Sequence, residues 1–197
     1  MPTFTPAQID QAAAAIRRGE IVAYPTETYY GLAVDALDPN ALDRLFALKG
    51  RNSEKVSALL VADLPMLERL CAEVPARARE LVAVHWPGPL TIALPARKGL
   101  PPAIVCDGFV AARVSSHPLA QSLVVFAGRP ITATSANPAG VPPARTAAEV
   151  RDHFGDHFGG EALYVLDGGQ TPGGSPSTLV RLRGDSAEVL RKGAIEI

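Results

Sequence analysis

Short apolar runs that stop at proline or glycine alternate along nearly the whole chain with longer segments whose apolar residues recur every three to four positions. That alternation confines the chain to α/β architectures. The first pair shows the logic. In "TPAQIDQAAAAIRRG", Thr5 can cap, Pro6 takes the first helical position, Gln8 completes a capping box and Gly19 ends the helix. "EIVAYP" then reads as a short buried strand stopped by Pro25, which has no backbone donor to continue a ladder, so "PTET" is a loop at a strand end. Asp38 and Pro39 open a second helix, with Leu42, Leu45, Phe46 and Leu48 on or near its buried face and Gly50 at its C-terminal cap.

The pattern continues. "SALLVA", "PLTIALPA", "DGFVAARVS", "PITATSA", "ALYVLDGG", "STLVRL" and "AEVLRKG" read as strands. "DLPMLERLCAE", "PARARELVAVH", "HPLAQSLVVFAG" and "TAAEVRDHFG" read as helices, the last with Thr146 and Glu149 as a second capping box. Several strands follow one another without a helix, which calls for antiparallel as well as parallel neighbours. The expectation is an open, twisted mixed sheet flanked by helices, formed as one domain over residues 1–197.

Composition removes several classes of function. A formal net charge of −1 gives no global pull toward nucleic acid or an anionic membrane, so any anion site must be local. Cys71 and Cys106 lack the C-x-x-C spacing of a redox or zinc motif, which fits a reducing cytoplasm. The N-terminus lacks the basic-then-apolar order of a signal peptide, and no apolar run approaches the roughly 18 residues of a membrane span. A soluble, unprocessed chain without membrane contact is expected.

Against that background a few polar residues stand out, each with an ordinary structural reading beside the functional one. Thr26, Glu27 and Thr28 follow a strand, where α/β sheets usually bind ligands, yet the same residues make turns. Lys49 and Arg51 straddle the Gly50 cap, where the reversal can turn two cations onto one anion; the helix dipole alone also favours them there. Thr134, Ser135 and Asn137 in "TATSANPAG" can hydrogen-bond phosphate oxygens or form a local turn. "GGQTPGGSPST" ahead of Ser177 could cradle a phosphate but lacks the P-loop pattern. Arg113 and Arg191 lie on apolar strands, where each requires a partner or a ligand-facing position. His153 and His157 have the spacing of a helical metal pair without a third ligand nearby, and Trp86 reads as a core anchor. No protein-held metal is expected.

The blocks "YPTETYYGLAVDA", "LFALKGR", "WPGPLTIAL", "VAARVSSHP", "TSANPAG", "GGSPSTLV" and "LRKGAI", in this order, resemble the YrdC family of threonylcarbamoyl-AMP synthases, in its short bacterial form, from about Ile9 to Ile195. The resemblance implies a YrdC-like α/β fold and a nucleotidyltransferase that forms threonylcarbamoyl-adenylate and pyrophosphate from L-threonine, bicarbonate or CO2, and ATP with Mg2+. By the same resemblance, Thr26, Arg113 and Ser177 hold threonine, and Lys49, Arg51, Ser135, Asn137 and Arg191 hold ATP, with Lys49 and Arg51 the catalytic cations. The implied partner is a tRNA threonylcarbamoyl-transferase complex acting in the cytoplasm, with at most weak contact to tRNA itself. Two positions depart from the family pattern: Asn52 stands where many members have proline, and Ala62 where longer members have histidine. The chain stops at Ile197 without the longer members' extra domain, so a lid is expected from its own loops. The competing reading is a YrdC-like RNA-binding module without synthase activity, its arginines contacting phosphates.

Overall fold

The structure, a computed structural model, describes residues 5–50, 58–154 and 163–197. Along the chain it runs α1 (Pro6–Arg17), β1 (Ile21–Pro25), β2 (Tyr30–Ala33), α2 (Pro39–Lys49), β3 (Leu59–Leu60), α3 (Leu64–Glu68), α4 (Ala76–His85), β4 (Leu90–Pro95), β5 (Phe109–Arg113), α5 (Pro118–Ala127), β6 (Ile131–Thr132), β7 (Thr134–Ser135), α6 (Ala147–Phe154), β8 (Leu163–Val165), β9 (Thr178–Arg183) and β10 (Ser186–Arg191). The mixed α/β class read from the sequence is the class observed. Its strands divide between a four-stranded sheet, β7-β2-β1-β8, and a six-stranded sheet, β10-β9-β4-β5-β3-β6. Both are mixed: β1 runs parallel to β8 and antiparallel to β2, and β4 runs parallel to β9 and antiparallel to β5.

Local signals set the helix ends as expected. Gln8 N–H donates to Thr5 Oγ1 at 3.4 Å while Thr5 N–H donates to Gln8 Oε1 at 3.1 Å, the reciprocal box that satisfies two orphan donors of α1. Gly50 caps α2 at φ 60°, a conformation that would strain a residue with a Cβ. At α6 the box is displaced by one residue: Thr146 Oγ1 accepts from Glu149 N–H, but the Glu149 carboxylate accepts from Arg145 N–H. The small buried face of α1, Ala12, Ala13 and Ala15, lets it lie close against α5 and β1.

Three expectations need correction. The helix read over "DLPMLERLCAE" ends at Glu68, because the following residues turn aside to bond the end of β4: Ala72 N–H donates to Pro95 O and Arg97 N–H to Leu70 O. β2 was not anticipated; all four of its residues are buried, so it carries no polar alternation to mark it. Thirdly, "PITATSA" is not one strand but two, and the break at Ala133 passes the chain from the six-stranded to the four-stranded sheet. Part of the strand read over "SALLVA" and the start of the one read over "ALYVLDGG" lie outside the described residues.

This crossing is where the sheets are joined. Thr132 pairs with Leu59 in the six-stranded sheet, yet its side chain and backbone turn to the other sheet. Its hydroxyl donates to Leu32 O at 2.9 Å and accepts from Val34 N–H at 3.1 Å, and its N–H donates to Val34 O at 3.1 Å. Its carbonyl accepts from the Tyr24 hydroxyl at 3.1 Å. Tyr24 is fully buried, and burial raises its phenol pKa.

The Tyr24 ring lies across Gly31, where an added Cβ would stand 2.9 Å from the ring carbon Cζ. The ring is completely buried and its hydroxyl is held by Thr132 O. Gly31→Ala is expected to lower the free energy of unfolding by about 1–3 kcal/mol, measured as a fall in the urea midpoint without a change in slope.

Candidate functional site

The strand registers bring several polar positions to one end of the six-stranded sheet, along the strand termini. β5 ends at Arg113, β10 ends at Arg191, β9 begins at Thr178, and the pairing of Leu90 with Thr178 and Ile92 with Ala112 places Thr91 among them. On the four-stranded sheet β1 ends at Pro25, and Gly31 pairs with Ser135, so the 26–29 turn and the Ser135–Asn137 loop leave from one end.

Glu27 joins the two ends. Arg113 Nη1 donates to Glu27 Oε1, and the Ser115 hydroxyl donates to Glu27 Oε2. Arg113 and Ser115 are two residues apart, so extended backbone carries them to one face. Arg113 is only 8% exposed. Burial is the main influence lowering its pKa, which the nearby Tyr24 opposes and the like charge of Arg191 reinforces. A guanidinium stays protonated even so, and the Glu27 carboxylate is the counter-charge that makes its burial tolerable.

Arg191 lies beside this pair and is tied to Ser177: its Nη2 donates to Ser177 O at 2.9 Å and to Ser177 Oγ at 3.1 Å. Ser177 Oγ is in turn 2.7 Å from Thr91 Oγ1. Burial lowers the Arg191 pKa as well.

On the other sheet the Thr26 hydroxyl donates to Tyr29 O at 2.6 Å and accepts from Thr28 and Tyr29 N–H groups, so it holds the turn that carries Glu27. Lys49 is 1% exposed, and its ammonium reaches from the end of α2 to donate to Ser135 O and, at 2.8 Å, to Asn137 O. The Asn137 amide donates to Pro138 O and Val141 O, and the Ser135 hydroxyl donates to Asn137 Oδ1. Lys49 is therefore part of the scaffold of that loop.

The segment between β8 and β9 crosses from one sheet to the other. Tyr30 anchors its start: the hydroxyl accepts from Gly168 N–H at 2.9 Å and donates to Gly169 O at 2.8 Å, and burial pushes its pKa up to about 12. Arg145 holds the middle through the carbonyls of Thr171 and Pro172, and Gly173 N–H donates to Thr28 O at 2.7 Å.

Of the residues singled out in the sequence, Arg113, Ser177 and Arg191 lie along one sheet end, and Thr26, Ser135 and Asn137 on the end facing it; Lys49 supports the latter. Arg51, Asn52 and His157 lie outside the described residues. Ala62 follows β3, its N–H on Met66 Sδ. His153 is near Ala136 O, and Trp86 packs against the core with its indole N–H donating to Leu90 O. Sequence reasoning passed over Ser115, Thr91 and Arg145 and gave Glu27 no role. Ser115 was open to discovery, since it shares the Arg113 face of an extended segment.

The chain is thus an α/β protein in which cations and hydroxyl and amide groups gather at the facing strand ends of two mixed sheets. The Sua5-YciO-YrdC family signature, described as telomere recombination, matches residues 14–193, and the chain belongs to that family. It is 41% identical to the threonylcarbamoyl-AMP synthase of Chromohalobacter salexigens over 94% of this chain and 97% of that one. It is 38% identical to the threonylcarbamoyl-AMP synthase of Pyrococcus abyssi over 94% of its own length and 54% of the relative's, so it spans about half of that protein. The crystal structure of P. abyssi Sua5 complexed with L-threonine matches with a TM-score of 0.89 at 38% identity, over 97% of this chain and 55% of that one.

Two outcomes follow from the geometry. Lys49→Met keeps the aliphatic stem but leaves the Ser135 and Asn137 carbonyls without their charged donor; a loss of about 1–3 kcal/mol is expected, with faster amide exchange in residues 136–141. His117 caps α5 by accepting from Leu119 N–H through Nδ1, and burial lowers its pKa below the ordinary histidine value of 6.5. The folded state thus binds its proton less well than the unfolded chain. This contribution to stability is present above pH 6.5 and lost as pH falls from there through the folded pKa. Replacing His117 with Ser, a cap that does not titrate, should flatten that part of a stability-against-pH curve measured by urea unfolding.

Proposed function

We propose that this chain forms threonylcarbamoyl-adenylate and pyrophosphate from L-threonine, bicarbonate or CO2, and ATP, acting as a single unit over residues 1–197. One observation carries the reading: a buried arginine at a strand end, matched by a carboxylate and a hydroxyl and flanked by a second arginine, in a chain 41% identical to a protein named for this activity.

In this reading Arg113 receives the threonine carboxylate, a planar anion suited to a guanidinium fork, with the Thr26 and Ser177 hydroxyls beside the same ligand. The amine of threonine adds to CO2, forming a C–N bond and losing a proton to give a carbamate. A carbamate oxygen then attacks the α-phosphorus of ATP, and the bond from that phosphorus to the pyrophosphate oxygen breaks. Negative charge on the phosphoryl oxygens is met by Arg191, Arg51 and the ammonium of Lys49, which acts from beneath the Ser135–Asn137 loop; Ser135 and Asn137 frame the triphosphate. Positioning of three anionic reactants, rather than a general base, supplies much of the rate effect. Among the described residues no three acidic, His or Cys side chains cluster to seat a metal. Magnesium fits as a companion of the ATP oxygens, where it neutralises charge.

No helix among the described residues is long and apolar enough to cross a membrane. We place the activity in the cytoplasm, with the adenylate passed to a transferase complex that modifies tRNA.

The test is pyrophosphate release from Mg·ATP in bicarbonate buffer. Release that depends on L-threonine is expected, and Arg113→Lys should weaken threonine use about tenfold or more, since each 1.4 kcal/mol of lost recognition is a factor of ten. No release, together with tRNA binding that falls steeply with salt, would move the chain to the RNA-binding reading.

A further inference from the structure

We propose that Glu27 makes this site selective for α-amino acids over other small carboxylates: it covers Arg113 in the ligand-free protein and turns to the ammonium group of the incoming amino acid. The inference rests on the reading of Arg113 as the carboxylate receptor.

Charge balance carries the argument. Glu27 and Arg113 are largely withdrawn from water, with side chains 18% and 10% exposed, and together they are neutral. Both carboxylate oxygens are committed, one to Arg113 and one to Ser115. A ligand carboxylate that docks on Arg113 therefore brings a second negative charge next to Glu27. Two carboxylates then meet at the Arg113 guanidinium, with Arg191 beside them held by Ser177, and like charges at such range in a poorly solvated place oppose each other. If Glu27 withdraws instead, it loses its buried counter-ion.

A zwitterion removes the conflict. Its ammonium sits on the carbon next to its carboxylate, so a ligand bound to Arg113 places a cation within reach of the displaced Glu27. One internal ion pair becomes two ion pairs with the ligand, and the net charge does not change. A 2-hydroxy acid of the same shape brings its negative charge without a cation for the displaced Glu27. Local structure suits the exchange. Glu27 lies in a tight turn whose ends are fixed by Thr26, so its side chain can move without disturbing β1 or β2. Ser115, by contrast, is fixed: its oxygen also accepts from His117 N–H at the start of α5.

The experiment is calorimetric titration of the full chain with two probes: L-threonine, and the matching 2,3-dihydroxy acid in which a hydroxyl replaces the ammonium group. Parental protein is expected to bind threonine at least about tenfold more tightly than the dihydroxy acid. Glu27→Gln keeps the size and hydrogen bonding of the side chain but removes its charge. It should bind the dihydroxy acid more tightly than the parent does and bring the two affinities within about threefold. Ser115→Ala retains the carboxylate charge and should retain the preference.

Equal affinities in the parental protein would overturn the proposal without any variant, so it stays testable if Glu27→Gln does not fold. An unchanged preference in a folded Glu27→Gln, or its loss in Ser115→Ala, would overturn it too, by showing that charge at Glu27 is not the cause. The reaction fails separately: threonine binding with this selectivity but no pyrophosphate release would overturn the synthase reading and support the role of Glu27. Binding of neither probe would overturn both.

Discussion

The hydrogen bonds around Thr132 are the constraint on which the rest of the molecule turns. One residue serves two sheets: its strand register belongs to the six-stranded sheet, while its hydroxyl, N–H and carbonyl bond Leu32, Val34 and Tyr24 of the other. Each such bond contributes a modest net amount, about 0.5–1.5 kcal/mol. Their weight comes from position, since a completely buried threonine with any of these partners missing would leave polar groups stranded away from water. The relative placement of the two sheets follows, and with it the approach of the 26–29 turn to the end of β5.

That approach converts a fold into a site. Neither sheet end holds a complete set of groups by itself: Arg113, Ser115 and Arg191 belong to one, and Glu27, Ser135 and Asn137 to the other. Two kinds of chemistry are kept apart within a short span. At one end the Arg113 guanidinium is paired with Glu27, whereas at the other the Lys49 ammonium donates to backbone carbonyls of the Ser135–Asn137 loop.

The helix boundaries were legible because their causes are local. Thr5 with Gln8, Asp38 with Pro39, and Gly50 each act within four residues, and short-range steric and hydrogen-bonding rules suffice for them. The division of "PITATSA" between sheets was not legible, since nothing in seven residues tells that the two ends pair with strands from different parts of the chain. Arg113 was recognisable as a residue needing a partner, because an unpaired charge in an apolar strand is too unfavourable to keep. Its partner was not, although Glu27 stood out as the acid of the first loop, because the two are 86 positions apart. From the sequence Lys49 reads as a cation for a ligand or for the helix dipole, and its bonds to two backbone carbonyls depend on a loop that only tertiary structure brings near.

The parallel pairing of β4 with β9 reaches beyond the finished molecule. Leu90 pairs with Thr178, so a chain emerging from the ribosome exposes one open edge of β4 through the synthesis of nearly half its length. During that interval β4 can be covered only on its other side, by β5, and its apolar residues offer a template for stray strands. Arg181 and Arg183, both on the strand that finally closes this edge, also stack on Phe109 of β5, so closure brings charge as well as backbone partners to the exposed face. The same late event completes the polar cluster at these strand ends, so no nascent intermediate carries the assembled set of Arg113, Ser177 and Arg191.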